Sequence, residues 1–252
     1  MERIILIETS TALCSVALTE DGVVTSYRES TQPKAHASLT AVFVNEILKE
    51  RGLAIADCDA VCVSMGPGSY TGLRVGVSTA KGLCFGSGKP LMAVGTLDTL
   101  VAQAGMDGCC GTPKYIVPMI DARRMEVYTA IFSAEASASG SGLSSEGTVI
   151  PSEVEGAIYK QISETAPMII DGNSFADILA EGPVLFIGDG AGKCADVIRH
   201  PNAHFLQCCP KASSMLIPAL TEYKEKRFKD VAYFEPFYLK EFVATVSKKK
   251  LF

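Results

Sequence analysis

The sequence predicts an α/β protein built from two lobes that share one order of elements: three strands, then helix, strand, helix, strand and helix. Three observations support this prediction. Apolar runs of strand length alternate with segments whose apolar residues recur at helical spacing. The same order can be traced a second time in the C-terminal half. A chain of 252 residues, 48% of them hydrophobic, can bury the core of one large domain or two small ones.

The first lobe is expected over residues 1–108. Its second and third strands flank the turn Glu20-Asp21-Gly22, which is typical of an antiparallel meander. The first helix follows from apolar residues at helical spacing, with Ser38 as its N-cap, and the second follows the turn Gly66-Pro67-Gly68, with Ser69 or Thr71 as its N-cap. The expected elements are strands at 3–10 and twice within 14–30, a helix at 38–52, a strand at 60–65, a helix at 71–86, a strand at 89–94 and a helix at 96–105.

The second lobe is expected over residues 109–252, and the join between the lobes near residues 105–113. Its strands include KYIVPMIDA and RMEVYTAIF. The Ser-, Ala- and Gly-rich stretch at 133–146 predicts a mobile loop. Further along, PVLFIGDGAGK predicts a strand that runs through a glycine turn into a helix.

Two lobes of this order describe the ribonuclease H-like lobes of the actin-like, Hsp70-like and sugar-kinase architecture, whose members usually hold ATP between the lobes. Acidic side chains at the end of each lobe's first strand then organise Mg²⁺ and water. Here those positions are Glu8 and Asp121. The candidate nucleotide cleft therefore consists of Glu8, Asp121, Gly188, Asp189 and Gly190.

Each of these residues also has a structural interpretation. A carboxylate at a strand end can accept hydrogen bonds from neighbouring turns, and a glycine turn can serve only the backbone. The turn GDGAGK could bind an anion through backbone N–H groups, but it lacks the spacing of a phosphate-binding P-loop. An ATPase or phosphotransferase that uses Glu8 and Asp121 therefore remains one hypothesis.

Composition narrows the other classes of function. A net charge of −5 argues against a protein that binds nucleic acid by itself. Nine cysteines without a CxxC pair indicate reduced, buried thiols and a cytoplasmic location. No apolar stretch reaches the length of a membrane span. Pro201 prevents His200 and His204 from sharing a helical metal site, so no metal is expected, and no serine or cysteine has a recognisable general base.

Small residues recur every fourth position in the second helix, at Gly72, Gly76 and Ala80. Residues four apart lie on one helix face, and such a face lets a second helix approach closely. The row could pack on the protein's own sheet or form an interface with another chain, and the residues alone leave both open. The candidate partner interface on the first two helices is Leu39, Val42, Phe43, Glu46, Gly72, Leu73, Val75, Gly76, Thr79, Ala80 and Leu83.

Five segments resemble the TsaB (YeaZ) family. They are ILIETSTALCSVAL, HASLTAVFVNEIL, SMGPGSYTGLRVGVSTAKGL, KPLMAVGTLDTL and DARRMEVY. The resemblance is dense in the first lobe, continues through Tyr128, and thins later to IGDGA and FEPFYLK. The block GPGSYTGLRVG is long and specific.

The resemblance implies a non-catalytic relative of TsaD, the enzyme that transfers a threonylcarbamoyl group to adenosine 37 of tRNAs reading ANN codons. TsaB binds TsaD through first-lobe helices, the ATPase TsaE joins them, and TsaB can self-associate through the same surface. Contact with tRNA would then be indirect, and ATP or ADP would bind only within the complex.

One departure from the active relative bears on catalysis. TsaD carries an HxxxH metal pair where this sequence has Thr96 and Leu100, and neither side chain can replace an imidazole as a metal ligand. The glycine-rich nucleotide segments of its second lobe are also not matched. The resemblance therefore implies a scaffold that activates TsaD.

Overall fold

The computed structural model describes residues 1–106, 113–135, 149–151 and 158–240. Its first part contains the predicted order of three strands, helix, strand, helix, strand and helix. The strands are β1 (Arg3–Glu8), β2 (Cys14–Glu20), β3 (Val23–Ser30), β4 (Ala60–Ser64) and β5 (Leu91–Val94). The helices are α1 (His36–Glu50), α2 (Tyr70–Ser87) and α3 (Thr96–Met106).

The first sheet has the strand order β3-β2-β1-β4-β5. β1 pairs antiparallel with β2 and parallel with β4, which pairs parallel with β5. β4 and β5 are buried throughout, as expected for parallel strands covered on both faces. Residues of α1 and α2, among them Ile47 and Val77, share one core cluster with Ile5 and Val61 of this sheet.

The predicted N-cap is found in α2 but not in α1. Ser69 caps α2, because its hydroxyl accepts a hydrogen bond from the Gly72 N–H at 3.3 Å. Ser38 was expected to cap α1, but the helix begins at His36 and Ala35 is its N-cap, without a side-chain hydrogen bond. The Ser38 hydroxyl instead donates to the Ala35 carbonyl at 3.0 Å.

The second sheet repeats this order around its first strand. Its strands are β6 (Tyr115–Asp121), β7 (Glu126–Thr129), β8 (Phe132–Glu135), β9 (Val149–Pro151), β10 (Ile158–Gln161), β11 (Ala166–Ile169), β12 (Val184–Gly188) and β13 (Ala203–Gln207). β6 pairs antiparallel with β7 near one end and with β8 near the other, so these two short strands share one position in the sheet. On its other side β6 pairs parallel with β12, which pairs parallel with β13.

The remaining helices are α4 (Ala176–Glu181), α5 (Ala191–Ala195) and α6 (Leu216–Lys224). Part of the predicted loop at 133–146 is ordered as strand, since Ser133, Ala134 and Glu135 belong to β8. Residues 136–146 of that loop, and most of the expected join near 105–113, lie outside the described residues. None of the helices in the described ranges is long and apolar enough to cross a membrane.

Packing between the lobes does not follow chain order. Leu97 and Leu100 of α3 lie in a core cluster with Ile116 and Ile187 of the second lobe. In return, Ala219 of α6 and the residues just before it pack against β1, β4 and β5 of the first lobe. Each lobe thus contributes a helix to the other's core.

A final segment returns along the flank of α2, and residues 229–240 are called the strap below. Near one end of α2, the Lys229 N–H donates to the Leu91 carbonyl at 2.8 Å. Near the other end, the rings of Tyr238 and Tyr70 lie 5.0 Å apart. The strap ends at Lys240, which forms an ion pair with Glu126 of β7 in the second lobe.

Candidate partner surface and interlobe cleft

The row of small residues in α2 faces the protein's own sheet. A β-carbon on Gly72 would overlap the Thr9 carbonyl oxygen, and one on Gly76 would overlap the Thr9 hydroxyl. The same hydroxyl donates to the Gly72 carbonyl at 2.9 Å, and Ala80 is fully buried. The prediction that Gly72, Gly76 and Ala80 form the docking surface is therefore wrong, because close approach here serves the packing of α2 onto the end of β1.

The opposite face of α2 also carries small residues, and the sequence reading missed them. Gly82 and Gly86 are exposed, and a β-carbon on either would have no neighbouring atom within 4 Å. Ser78 lies one turn before Gly82 on the same outward face. Phe85, beside them, leaves 87% of its surface exposed.

The two charged side chains of α2 both contact other residues of this chain. The charged residues of the 18-residue helix are Arg74 and Lys81. Arg74 Nη1 donates to the Tyr70 hydroxyl at 2.9 Å, and the guanidinium lies over the Tyr70 ring. Lys81 Nζ donates to the carbonyls of Ala232 and Phe234, each at 3.0 Å. Aromatic residues are enriched and charged residues are depleted at the core of protein interfaces, so the part of the outward face of α2 around Phe85 is a candidate surface for another protein.

The other predicted interface residues fall into three groups. Phe43 and Leu73 are buried in the core and cannot reach a partner. Glu46 is exposed, but its carboxylate pairs with Arg28 at 3.3 Å. The rest lie at the outer surface of the two helices, exposed in the case of Val42 and half-buried in the case of Leu39, Val75, Thr79 and Leu83.

At the first-lobe side of the cleft, Glu8 is fully buried at the end of β1. Its Oε1 accepts the Ser10 N–H at 2.7 Å, while no hydrogen bond to Oε2 is found among the described residues. Burial raises the pKa of this carboxyl to about 7, and hydrogen bonds from Ser10 partly oppose the shift. Glu8 is therefore a poorly solvated carboxyl rather than an exposed anion ready to bind metal-coordinated water.

At the second-lobe side, the carboxylate of Asp121 is paired with a lysine of the same lobe. Lys193 Nζ forms an ion pair with Asp121 and donates to the carbonyls of Arg124, at 2.9 Å, and Glu126, at 2.6 Å. The Asp121 N–H donates to Asp189 Oδ1 at 2.9 Å. Burial raises the pKa of Asp189 to about 6.

In the glycine turn before α5, backbone polar groups are hydrogen-bonded to other residues of the protein. The Gly190 N–H donates to the Met119 carbonyl at 3.0 Å, and the Gly192 N–H donates to Gln207 Oε1 at 2.5 Å. Gln207 Nε2 in turn donates to the Asp189 carbonyl at 2.9 Å. Gly188 has φ 133° and packs against the Met119 carbonyl, which explains the glycine without any ligand.

The cleft therefore does not fit a nucleotide with its metal ion. Two backbone N–H groups of the turn, those of Gly190 and Gly192, are bonded to Met119 and Gln207, and the Asp121 carboxylate is paired with Lys193. Gln207 was not anticipated, because its contact depends on the pairing of β12 with β13 rather than on any motif. Across the ranges that the structure describes, no group of three His, Cys, Asp or Glu side chains could hold a metal ion.

Two ribonuclease H-like lobes, each with a first strand paired antiparallel on one side and parallel on the other, define a protein of the actin-like, Hsp70-like and sugar-kinase class. A sequence model of the TsaD family, described as tRNA N6-adenosine threonylcarbamoyltransferase, matches residues 23–248. The Escherichia coli tRNA threonylcarbamoyladenosine biosynthesis protein TsaB is 30% identical over 242 residues, which are 96% of each chain. The chain therefore belongs to the TsaB (YeaZ) branch of the TsaD family.

Two further relatives agree with this assignment. The TsaB protein of Haemophilus influenzae is 38% identical over 125 residues, covering 50% of this chain and 51% of that one. A crystal structure of a Pseudomonas aeruginosa protein, described as similar to peptidase YEAZ, superposes with a TM-score of 0.77 at 24% identity. It covers 95% of this chain and 100% of that chain, and at this identity it shows a shared fold.

Proposed function

We propose that the chain is a non-catalytic subunit that binds and activates a TsaD enzyme for threonylcarbamoyl transfer to adenosine 37 of ANN-decoding tRNAs. The observation that carries this proposal is the outward face of α2. It combines the open positions at Gly82 and Gly86 with an exposed Phe85, and the helix's two cations are bonded within the chain. Relatives named as tRNA threonylcarbamoyladenosine biosynthesis proteins support the same process.

The positions that differ from the active relative support a non-catalytic role. The Thr96 hydroxyl lies 2.8 Å from the Ser64 hydroxyl in a buried pair. Leu100 is fully buried in the core shared by α3 and the second lobe. Thr96 is thus paired within the first lobe and Leu100 packs against the second, so the positions of the metal pair belong to the buried interior.

The proposal extends to the other partners and to location. TsaE joins the complex, tRNA is contacted through the complex, and self-association through α1 and α2 competes with TsaD binding. The chain holds no cofactor on its own, and ATP or ADP is held only in the assembled complex. The assembly works in the cytoplasm, which agrees with the free cysteines of the described residues.

Reconstitution tests this proposal. The TsaD-family protein of the same organism is incubated with tRNA and threonylcarbamoyl-adenylate, with and without the chain, and modified adenosine is measured by mass spectrometry of nucleosides. We expect the chain to raise the rate at least tenfold. An equal rate without the chain would overturn the proposal.

The interface is tested with Gly82→Leu, which adds a side chain where the structure has open space. Leucine favours the helix over glycine, so lost binding would report the surface and not the fold. Gly172→Leu is the matched control, since Gly172 is an exposed glycine of the second lobe whose β-carbon would have an ordinary contact at 3.8 Å. Gly76 is unsuitable, because a side chain there would displace α2 from Thr9.

A further inference from the structure

The aromatic side chains along the strap continue the outward face of α2. Tyr233 leaves 84% of its surface exposed and Phe85 leaves 87% exposed. Tyr233 lies between Ala232 and Phe234, whose carbonyls accept hydrogen bonds from Lys81, and Phe85 lies one helical turn after Lys81. The Lys81 ammonium thus fixes the strap beside the turn of α2 that carries Phe85.

The strap follows the flank of α2 along its length. It begins beside Leu91, after the C-terminal end of α2, and the Phe237 N–H donates to the Met65 carbonyl at 2.7 Å before the N-terminal end. Val231 and Phe234 pack against the core cluster shared by α1, α2 and the sheet. Hydrogen bonds and core packing therefore fix the strap beside α2, and its exposed aromatic side chains project from an ordered backbone.

The order of side chains around α2 makes the surface continuous. With about 3.6 residues per turn, Leu83 and Thr79 lie towards α1, Gly82 and Gly86 lie in the centre of the outward face, and Phe85 and Lys81 lie towards the strap. On one side, α2 contacts α1 directly. On the other side, the Lys81 hydrogen bonds connect α2 to the strap. A partner that covers α1 and α2 would meet the strap at the edge of the same face.

The area of the two helices alone is small for a stable complex. At about 1.5 Å per residue, the 15-residue α1 is about 22 Å long and the 18-residue α2 about 27 Å long, and each is about 10 Å wide. Their outward faces together therefore offer about 500 Å², whereas a standard interface buries about 800 Å² per partner. A strip about 10 Å wide along the strap brings the surface close to that value.

We infer that the partner surface extends from α1 and α2 onto the strap, that Phe85 and Tyr233 are its anchors, and that a TsaD-family protein covers it. This inference rests on the proposed function. The choice of partner is supported by the match of the TsaD family model to residues 23–248, which include α1, α2 and the strap. Phe and Tyr are enriched at protein interfaces, and Tyr is among the residues that most often carry binding energy.

The experiment measures the affinity of the full chain for the TsaD-family protein of the same organism by calorimetry. Phe85→Ala and Tyr233→Ala test the anchors, and Gly82→Leu tests the central face. Ile169→Ala is the matched control, because Ile169 is 74% exposed on β11 of the second lobe. Circular dichroism confirms that each variant is folded.

We expect Phe85→Ala and Tyr233→Ala each to weaken binding at least tenfold, with Ile169→Ala within twofold of the wild type. If Gly82→Leu weakens binding but both aromatic variants change it less than tenfold, the extension onto the strap is overturned and the proposed function stands. If none of the variants weakens binding, both are overturned. If the aromatic variants change only self-association, measured by analytical ultracentrifugation, the surface serves a second copy and the choice of partner is overturned.

Discussion

Gln207 Oε1 lies 2.5 Å from the Gly192 amide nitrogen, at the turn where a phosphate would bind in an ATPase of this architecture. The other end of the same amide donates to the Asp189 carbonyl. A single side chain from β13 thus satisfies both a donor and an acceptor of the turn before α5. Side chains of the protein itself therefore occupy the polar groups of this turn.

Gln207→Ala is expected to destabilise the chain by about 1 kcal/mol, because a hydrogen bond contributes about that much and the site is partly exposed. The measurement is urea unfolding followed by circular dichroism. Gln32→Ala is the control, since Gln32 is exposed in a turn and no hydrogen bond of its side chain is found in the described ranges. Equal stability of the two variants would show that the amide does not hold the turn.

Lys193→Met is expected to lower the free energy of unfolding by about 1 kcal/mol, because it leaves Asp121 without its ion pair at a site that solvent still reaches. Asp121→Asn in the same chain should restore part of that loss, since the neutral amide does not need a cation. A double-mutant cycle by urea unfolding measures this coupling. Purely additive losses would mean that the ion pair contributes nothing.

Calorimetry of the isolated chain with Mg-ATP is expected to give no binding heat at millimolar nucleotide, because Gln207 and Lys193 already occupy the groups that would hold phosphate and metal. The same titration in the presence of the TsaD-family protein provides the comparison. Tight binding to the isolated chain, lost in Asp121→Asn, would favour the ATPase hypothesis over the scaffold.

Glu8→Gln is expected to be more stable than the wild type at pH 8 by about 3 kcal/mol, since one unit of raised pKa corresponds to about 1.4 kcal/mol. Burial raises the Glu8 pKa from an ordinary value of 4.5 to about 7, so between these values the native state binds more protons than the unfolded state. Stability from this group is therefore present at low pH and is lost as the pH rises through about 7. Asp98 and Asp189 have pKa values raised in the same direction, so the test compares how strongly the variant and the wild type depend on pH from 5 to 8 in urea unfolding. Identical pH dependence would contradict the prediction.

Local signals in the sequence were sufficient for most of the first lobe. Apolar runs placed β1, β4 and β5, and the serine before the helical repeat placed the start of α2. The start of α1 was missed by two residues, because His36 Nε2 makes a contact at 2.9 Å with the Thr11 carbonyl from a different element. That contact has no local signature.

The sequence contained enough information to predict that the glycines at 72 and 76 face the core. It did not contain a local signal for the position of the strap beside α2. Gly72 and Gly76 are adjacent to Leu73 and Val77, so the small and apolar residues share one face, and that face is buried. The contact of Lys81 with Phe234 joins residues 153 positions apart, and no periodicity predicts it. The candidate surface therefore became visible only when the return path of the chain was known.

Two alanine substitutions in α2 separate its inward face from its outward face. Gly72→Ala is expected to cost at least about 2 kcal/mol, because the β-carbon would overlap the rigid Thr9 carbonyl and overpacking costs about 1–3 kcal/mol even where side chains can shift. Gly82→Ala is expected to stabilise the chain by about 0.5–1 kcal/mol, because its β-carbon meets open space and alanine favours the helix. Both variants replace glycine by alanine within one helix, so each controls for the other in thermal or urea unfolding. Equal effects, or a stabilised Gly72→Ala, would mean that α2 does not lie on Thr9 in the folded protein.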